Sequence, residues 1–260
     1  MRFLLFFIAL HFFVTSLPAQ DLSLYEKKTF ISSRGDTLPY RILYPLNYDA
    51  GKKYPLILVL HGAGERGNNN ESQLTHGGKL FLADSNRTKF PAIVVFPQCP
   101  QNSYWAKANV NRNVTPYEIK FDYSGVASGP LNAALELTHQ LLEGGSVNKK
   151  RIYITGLSMG GMGTFEAVFR EPKLFAAAAP ICGGGNPAMY SKQTAKVPFR
   201  IFHGAADAVV NVQLSRDMVT RLKELKAAVL YQEYPGVNHN SWDNSFAEPD
   251  FLGWFFSKKK

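Results

Sequence analysis

The sequence predicts an α/β fold, a mostly parallel sheet with an antiparallel N-terminal edge and helices on both faces. Three observations predict it. Residues 54–60 and 92–96 are continuous apolar runs, the form of strands buried on both faces. From residue 54 onward strand-like and helix-like stretches alternate. Ahead of them, residues 27–32 and 38–43 alternate in polarity around a turn at Arg34-Gly35-Asp36 and read as a hairpin.

The first twenty residues stand apart from that pattern. Arg2 supplies a positive start, residues 4–14 are almost wholly apolar, and Thr15-Ser16-Leu17-Pro18-Ala19 closes the run with small or turn-forming residues. This is the form of an export signal cleaved near Ala19 or Gln20, and it implies a secreted or periplasmic protein. The run is shorter than the roughly 20 apolar residues of a spanning helix, and the alternative is an N-terminal anchor. Residues 21–260 are then expected to form a single α/β domain, a normal length for one.

The remaining elements follow in order. After the strand at 54–60 comes a loop with Gly67-Asn68-Asn69-Asn70 and Gly77-Gly78 and one short helical piece, leading to the strand at 92–96. Leu131, Ala134, Leu135, Leu137, Leu141 and Leu142 have helical spacing over 130–142, and Gly144-Gly145 stops the helix. Residues 151–155 read as a strand, followed by a helix through Arg170 and strands at 175–181 and 198–203. A helix over 212–226, a last strand over 228–234 and a short helix within 249–256 complete the chain. The connection after Ile181 is too short to hold a lid domain.

Composition narrows the function. The chain is 45% hydrophobic and 13% aromatic, enough for a real core. Its formal net charge is +9, or +8 once Arg2 is removed, but the cations are scattered. The densest groups, Lys149-Lys150-Arg151 and Lys258-Lys259-Lys260, lack the interleaved aromatics of a base-stacking surface, which argues against nucleic acid. No H-E-x-x-H, paired-cysteine or P-loop spacing occurs, so neither metal nor cofactor is implied. Cys99 and Cys182 each follow an apolar strand and could form one disulfide or remain two buried thiols.

The chemistry concentrates at the carboxyl ends of the expected strands. Gly156-Leu157-Ser158-Met159-Gly160 joins a strand directly to a helix. Such a turn holds the serine in a strained conformation that larger neighbours would obstruct, and it presents Oγ above the sheet at a helix N-terminus. A serine hydroxyl needs a base. Beyond residue 20 the histidines are His61, His76, His139, His203 and His239. His139 reads as surface filler on a helix, and His61 and His203 as positioned wall residues at strand ends. His239 lies in a loop just past the last strand, where a general base can reach the nucleophile.

The acid that orients the base is expected to be Asp207, after the strand at 198–203. Its rival is Asp243, which better suits local capping. The order Ser158, Asp207, His239 is that of the α/β-hydrolase triad. Oxyanion donors are expected from the N–H of Met159 and from the loop after residue 60, either Ala63 or the adjacent Gly64. Glu65 and Arg66 read as an ion pair bracing that loop rather than as catalytic groups. Trp105 and Trp242 are candidates for the cleft rim, where an indole would suit a sugar or aromatic ring, with ordinary packing the alternative. Gly184, in Gly183-Gly184-Gly185, is a candidate for an open lip of a substrate site.

Six motifs in order carry a resemblance. They are Leu60-His-Gly-Ala-Gly-Glu-Arg-Gly67 with Asn70 and Gln73, Phe96-Pro-Gln-Cys-Pro100 with Trp105, Gly156-Leu-Ser-Met-Gly-Gly161, Pro180-Ile-Cys-Gly-Gly184, His203-Gly-Ala-Ala-Asp207 and Asn238-His-Asn-Ser-Trp-Asp243. Together the chain resembles exported bacterial α/β-hydrolase esterases related to polyhydroxybutyrate depolymerases, family 1 carbohydrate esterases and the so-called predicted peptidases, from about residue 25 to the end. The resemblance implies a serine ester hydrolase acting on acetyl or feruloyl esters of plant polysaccharide, with Ser158, Asp207 and His239 as triad and Met159 and the Ala63 region as oxyanion hole. Asn211 stands where such relatives often have proline. The expected partner is an ester substrate, polysaccharide-linked, with no nucleic acid and no obligate protein partner. The alternatives are a peptidase or a lipid or small-ester carboxylesterase with the same triad, and a non-catalytic glycan-binding module.

Overall fold

The computed structural model of the protein describes residues 21–260. The export-signal reading of residues 1–20 lies outside the described residues. The strands are β1 (Glu26–Ile31), β2 (Thr37–Leu43), β3 (Tyr54–Leu60), β4 (Ile93–Pro97), β5 (Ala108–Asn111), β6 (Glu118–Phe121), β7 (Val147–Leu157), β8 (Ala177–Ile181), β9 (Phe199–Gly204) and β10 (Val229–Tyr234). The helices are α1 (Gly78–Leu82), α2 (Asp84–Lys89), α3 (Gly129–Glu143), α4 (Met159–Arg170), α5 (Gln213–Glu224), α6 (Trp242–Ala247) and α7 (Phe251–Phe256).

Eight strands form one sheet in the order β1-β2-β4-β3-β7-β8-β9-β10. β1 runs antiparallel to β2 and β2 antiparallel to β4; every later pairing is parallel. This is the α/β-hydrolase arrangement, without an obvious lid. Its parallel strands are buried on both faces because successive side chains point to opposite sides. Leu56, Leu58 and Leu60 of β3 enter the core layer under α3, α4 and α5, with Leu131, Phe165 and Met218. Ile57 and Val59 enter the opposite layer with Phe81 of α1 and Phe251, Leu252 and Phe255 of α7.

Local chemistry sets the element ends. Ser128 caps α3 by accepting from the Leu131 N–H, and Pro130 sits in its first turn. β7 runs longer than its apolar centre suggests, because Tyr54 pairs with Val147 across an irregular register before the regular pairing resumes at Leu56 and Ile152. Three elements are additions to the sequence reading, and the loop after β3 holds two short helices, α1 and α2, where one was expected. β5 and β6 form a separate antiparallel ribbon, and α6 follows the His239 loop.

The two cysteines are free and buried. Cys99 belongs to one core layer and Cys182 to the other, so the sheet separates them.

Candidate active site

The turn from β7 into α4 places Ser158 at φ 53° and ψ −116°, a left-handed conformation that a residue with a side chain adopts only under constraint. The constraint is steric. A Cβ on Gly160 would run into the carbonyl of Leu60, and one on Gly156 into the carbonyl of Gly160. Helix α4 can therefore approach β3 only through bare backbone. The Ser158 N–H donates to the Ile181 carbonyl at 2.9 Å, which fastens the turn to β8.

His239 reaches the serine from its loop beyond β10. Its Nε2 lies 2.9 Å from Ser158 Oγ, and its Nδ1 lies 2.8 Å from Asp207 Oδ2. The other carboxylate oxygen of Asp207 accepts from the backbone N–H groups of Val209 at 2.8 Å and Val210 at 2.9 Å. Asn238 ties the two loops together, its Oδ1 accepting from the N–H of Ala208 and of His239. Burial by itself would raise the pKa of Asp207. The bonds from His203 and His239 outweigh it and hold the carboxyl below the usual carboxylate range. A carboxylate that stays ionised fixes Nδ1–H on His239 and leaves Nε2 as the acceptor facing Ser158.

Ser158 and His239 open into a pocket of about 310 Å³. Ala63, Gly64 and Met159 line it beside the serine. Met159 is the first residue of α4 and Ala63 the first of a short 3-10 turn, so neither N–H has a partner within its own helix. The rest of the wall is largely apolar, from Leu157, Ile119, Met162, Val209 and Val210, with Tyr104, Tyr117 and Arg112 on the side of the β5–β6 ribbon. A wider, shallower groove of about 680 Å³, lined by Lys149, Lys150, Lys173 and Lys260, contains none of the expected site residues.

Several expected positions are corrected. Trp105 is fully buried rather than at the rim. Its indole Nε1–H donates to the His61 carbonyl at 3.0 Å, and its ring is wedged against Gly163. Gly184 is buried beneath Leu214 and Phe121 and forms no lip of the pocket. Glu65 and Arg66 do not pair with each other. Arg66 donates to the Ala63 carbonyl at 2.9 Å and lies over the Tyr104 ring, while Glu65 faces His76 at 3.6 Å.

Trp242 does line the pocket, with its ring edge-on to His239 at 5.4 Å and against His76 at 4.9 Å. Asp243 accepts from Asn240 at 3.2 Å and stays in its own loop. His139 is exposed and bonds Glu171 at 2.6 Å. His61 is a buried bolt: Nδ1–H donates to the Gly62 carbonyl at 2.6 Å, and Nε2 accepts from the Cys99 N–H at 2.9 Å. Burial lowers its pKa to about 4, so the ring is neutral at pH 7.

Sequence reasoning missed the pocket roles of His76, Tyr104, Arg112 and Tyr117, and the contact of His203 with Asp207. The spacing of His203 and Asp207 in one turn was the available signal for the last.

Cys182, Asp207 and His239 bring one donor atom each within 4.8 Å of one another. The set suits a metal poorly. Asp207 and His239 already bond each other, and burial pushes the Cys182 thiol well up, away from the thiolate that ligates metals.

Comparison with known proteins gives the family. Carboxylesterase SOBER1 of Arabidopsis thaliana is 25% identical over 191 residues, covering 71% of this chain and 82% of that protein. The bifunctional acetylxylan esterase/xylanase XynS20E of Neocallimastix patriciarum is 30% identical over 159 residues, 61% of this chain but only 20% of that enzyme. Among solved structures, a thermostable esterase superposes with a TM-score of 0.82 at 34% identity, over 92% of this chain and 64% of that one. A ferulic acid esterase of Anaeromyces mucronatus, in complex with ferulic acid, shares the fold at 16% identity and a TM-score of 0.64, over 88% of this chain and 89% of that one. Residues 47–249 match the phospholipase/carboxylesterase family, and the chain belongs to that family of α/β-hydrolase esterases.

Proposed function

We propose that the protein is a serine carboxylic-ester hydrolase working through an acyl-enzyme on Ser158. The observation that carries this reading is the unbroken line of hydrogen bonds from Asp207 through His239 to Ser158 Oγ, ending in an open pocket. His239 Nε2 takes the hydroxyl proton as Oγ attacks the ester carbonyl, and Asp207 steadies the imidazolium while remaining ionised. The N–H groups of Met159 and Ala63 receive the negative charge that develops on the carbonyl oxygen. His239 then protonates the departing alcohol, and water, deprotonated by the same ring, resolves the acyl-enzyme.

The proposed substrates are acetyl or feruloyl esters on plant polysaccharide, and the protein is proposed to act after export. Two things support that choice. The relative from Neocallimastix patriciarum carries an acetylxylan esterase activity in its name, and the pocket is an apolar slot with two tyrosines, a surface that accepts a small or aromatic acyl group.

The test is incubation of the purified protein and its Ser158→Ala variant with feruloylated, acetylated arabinoxylan, resolving ferulate and acetate in one chromatogram. Release by the wild type alone is the expected result and identifies the acyl group. Hydrolysis of peptides without preference for esters would overturn the ester assignment. Glycan binding unchanged in the variant, with no hydrolysis of any activated ester, would make the protein a binding module.

A further inference from the structure

Asp207 serves two histidines. His203 of β9 has a side chain as inaccessible as that of Asp207, and its Nε2 lies 3.2 Å from Asp207 Oδ2 and 3.0 Å from the Val210 carbonyl oxygen. Both neighbours are acceptors when Asp207 is ionised, so Nε2 must carry the proton. On the far side of the ring, Nδ1 meets Ser215 Oγ at 2.8 Å, and Ser215 Oγ lies 2.9 Å from the Gly183 carbonyl oxygen. The oxygen that His203 approaches is the same one that accepts from His239 Nδ1 at 2.8 Å.

We propose that His203 is a positioning residue for ester hydrolysis: its Nε2–H, bonded to the Val210 carbonyl and leaning on Asp207 Oδ2 at 3.2 Å, shares that oxygen with His239 and so limits how strongly it stabilises protonated His239, leaving the base available at lower pH. The proposal rests on the serine-hydrolase reading above. A carboxylate oxygen divides its negative charge among its donors. With His203 present, the imidazolium of His239 gains less from Oδ2 than it would as sole partner.

The other charged or titratable groups around His203 leave this sharing to the two rings. Glu233 of β10 is in register with His203, but its carboxylate is engaged by Arg216 of α5 at 2.6 Å and by Tyr231 at 2.7 Å. Cys182, beyond β8, is a buried thiol held protonated by burial. Nothing in this arrangement requires His203 to touch substrate.

The experiment compares the pH dependence of kcat/KM on p-nitrophenyl acetate in the wild type, His203→Phe and His203→Gln, with Ser158→Ala alongside. The acidic limb reports protonation of the base in the free enzyme. Phenylalanine removes the donor, and the limb should move upward by roughly half to one pH unit, the size expected for losing one ordinary, shared hydrogen-bonding contact. Glutamine keeps an amide donor near Nε2, and its limb should follow the wild type. An unmoved limb in His203→Phe, or equal movement in both variants, overturns the proposal.

Should His203→Phe fail to fold, ring-nitrogen NMR on the wild type decides. A His203 Nε2 without a proton at neutral pH overturns the proposal, and a protonated one supports it. Turnover surviving in Ser158→Ala would sink the serine reading itself. Ser158-dependent turnover with an unmoved His203→Phe limb sinks only the role of His203.

Discussion

The indole N–H of Trp105 donates to the main-chain carbonyl of His61 at 3.0 Å, joining the segment after β4 to the loop that carries Ala63. This bond is made where neither partner meets solvent. Trp105→Phe keeps most of the ring volume but leaves that carbonyl without its donor. The expected cost is about 1–3 kcal/mol of stability in urea unfolding. Because the loop beside Ser158 loses a brace, kcat should fall more than KM rises. A variant as stable and as fast as the wild type would show that the bond is idle.

Asp207→Asn should leave the protein folded and reduce kcat by about 10⁴, the loss expected when the orienting group can no longer select the Nδ1–H tautomer of the base. The measurement is kcat on an activated ester with the folded fraction checked by circular dichroism. A reduction no larger than that of an ordinary pocket substitution would leave Asp207 a turn former that accepts from the Val209 and Val210 N–H groups.

The order of elements was legible in the sequence because two patterns coincide: apolar runs at the strand lengths of β3 and β4, and Gly156 to Gly160 joining β7 to α4. Ser158, His239 and Asp207 were legible as neighbours because each follows a strand end in a parallel sheet, where the topology gathers such loops. What escaped depends on partners far along the chain. An indole that would suit a sugar at the rim suits packing equally well in sequence, and Trp105 packs: its ring is set against Gly163, a contact only the packing of α4 creates. The β5–β6 ribbon escaped because its four-residue strands, ANVN and EIKF, carry too few apolar positions to register as alternation. Glu65 and Arg66 are adjacent and opposite in charge, but the backbone between them sends one to His76 and the other back to the Ala63 carbonyl.

Stability should fall as pH drops from 7 toward 4, and His61 should supply part of that slope. Burial lowers its folded-state pKa to about 4, while the unfolded chain binds a proton near the ordinary value of about 6.5. The unfolded state therefore takes up the proton first, and stability present above about pH 6.5 is lost by up to about 3 kcal/mol on the way to pH 4. Asp207 adds to the loss only below about pH 4, where its carboxyl protonates in the unfolded chain but stays ionised in the fold. Urea unfolding at pH 7, 5.5 and 4 for the wild type and His61→Gln checks this. The variant should show a flatter slope between pH 7 and 4 whatever its absolute stability. Equal slopes would remove His61 from the account.

Cys99 and Cys182 should both titrate as free thiols once the chain is denatured, and neither should react in the native protein. Burial pushes Cys99 up to about 12 and raises Cys182 further, so thiolate is scarce and inaccessible at both. Thiol counting with and without guanidinium checks this. Silent cysteines under denaturing, non-reducing conditions would reveal a bridge and would require the two core layers to be rearranged.

Trp242 is expected to hold His239 in its pose toward Ser158. Its ring packs edge-on to the imidazole at 5.4 Å and forms pocket wall between that ring and His76. Removing it in Trp242→Ala frees His239 to leave the 2.9 Å contact with Ser158 and opens the pocket to water. Both effects weaken the transition state, and kcat/KM should fall by roughly tenfold or more, each factor of ten being ~1.4 kcal/mol. Trp242→Phe keeps a flat ring against the imidazole and should recover most of that loss in kcat. If Trp242 acts instead only as a landing surface for the alcohol, truncation will raise KM and spare kcat. The measurement is therefore the separate values of kcat and KM for both variants, on p-nitrophenyl acetate and on a feruloylated oligosaccharide. A loss in kcat on the small ester, which has no sugar to land, assigns the ring to orienting His239.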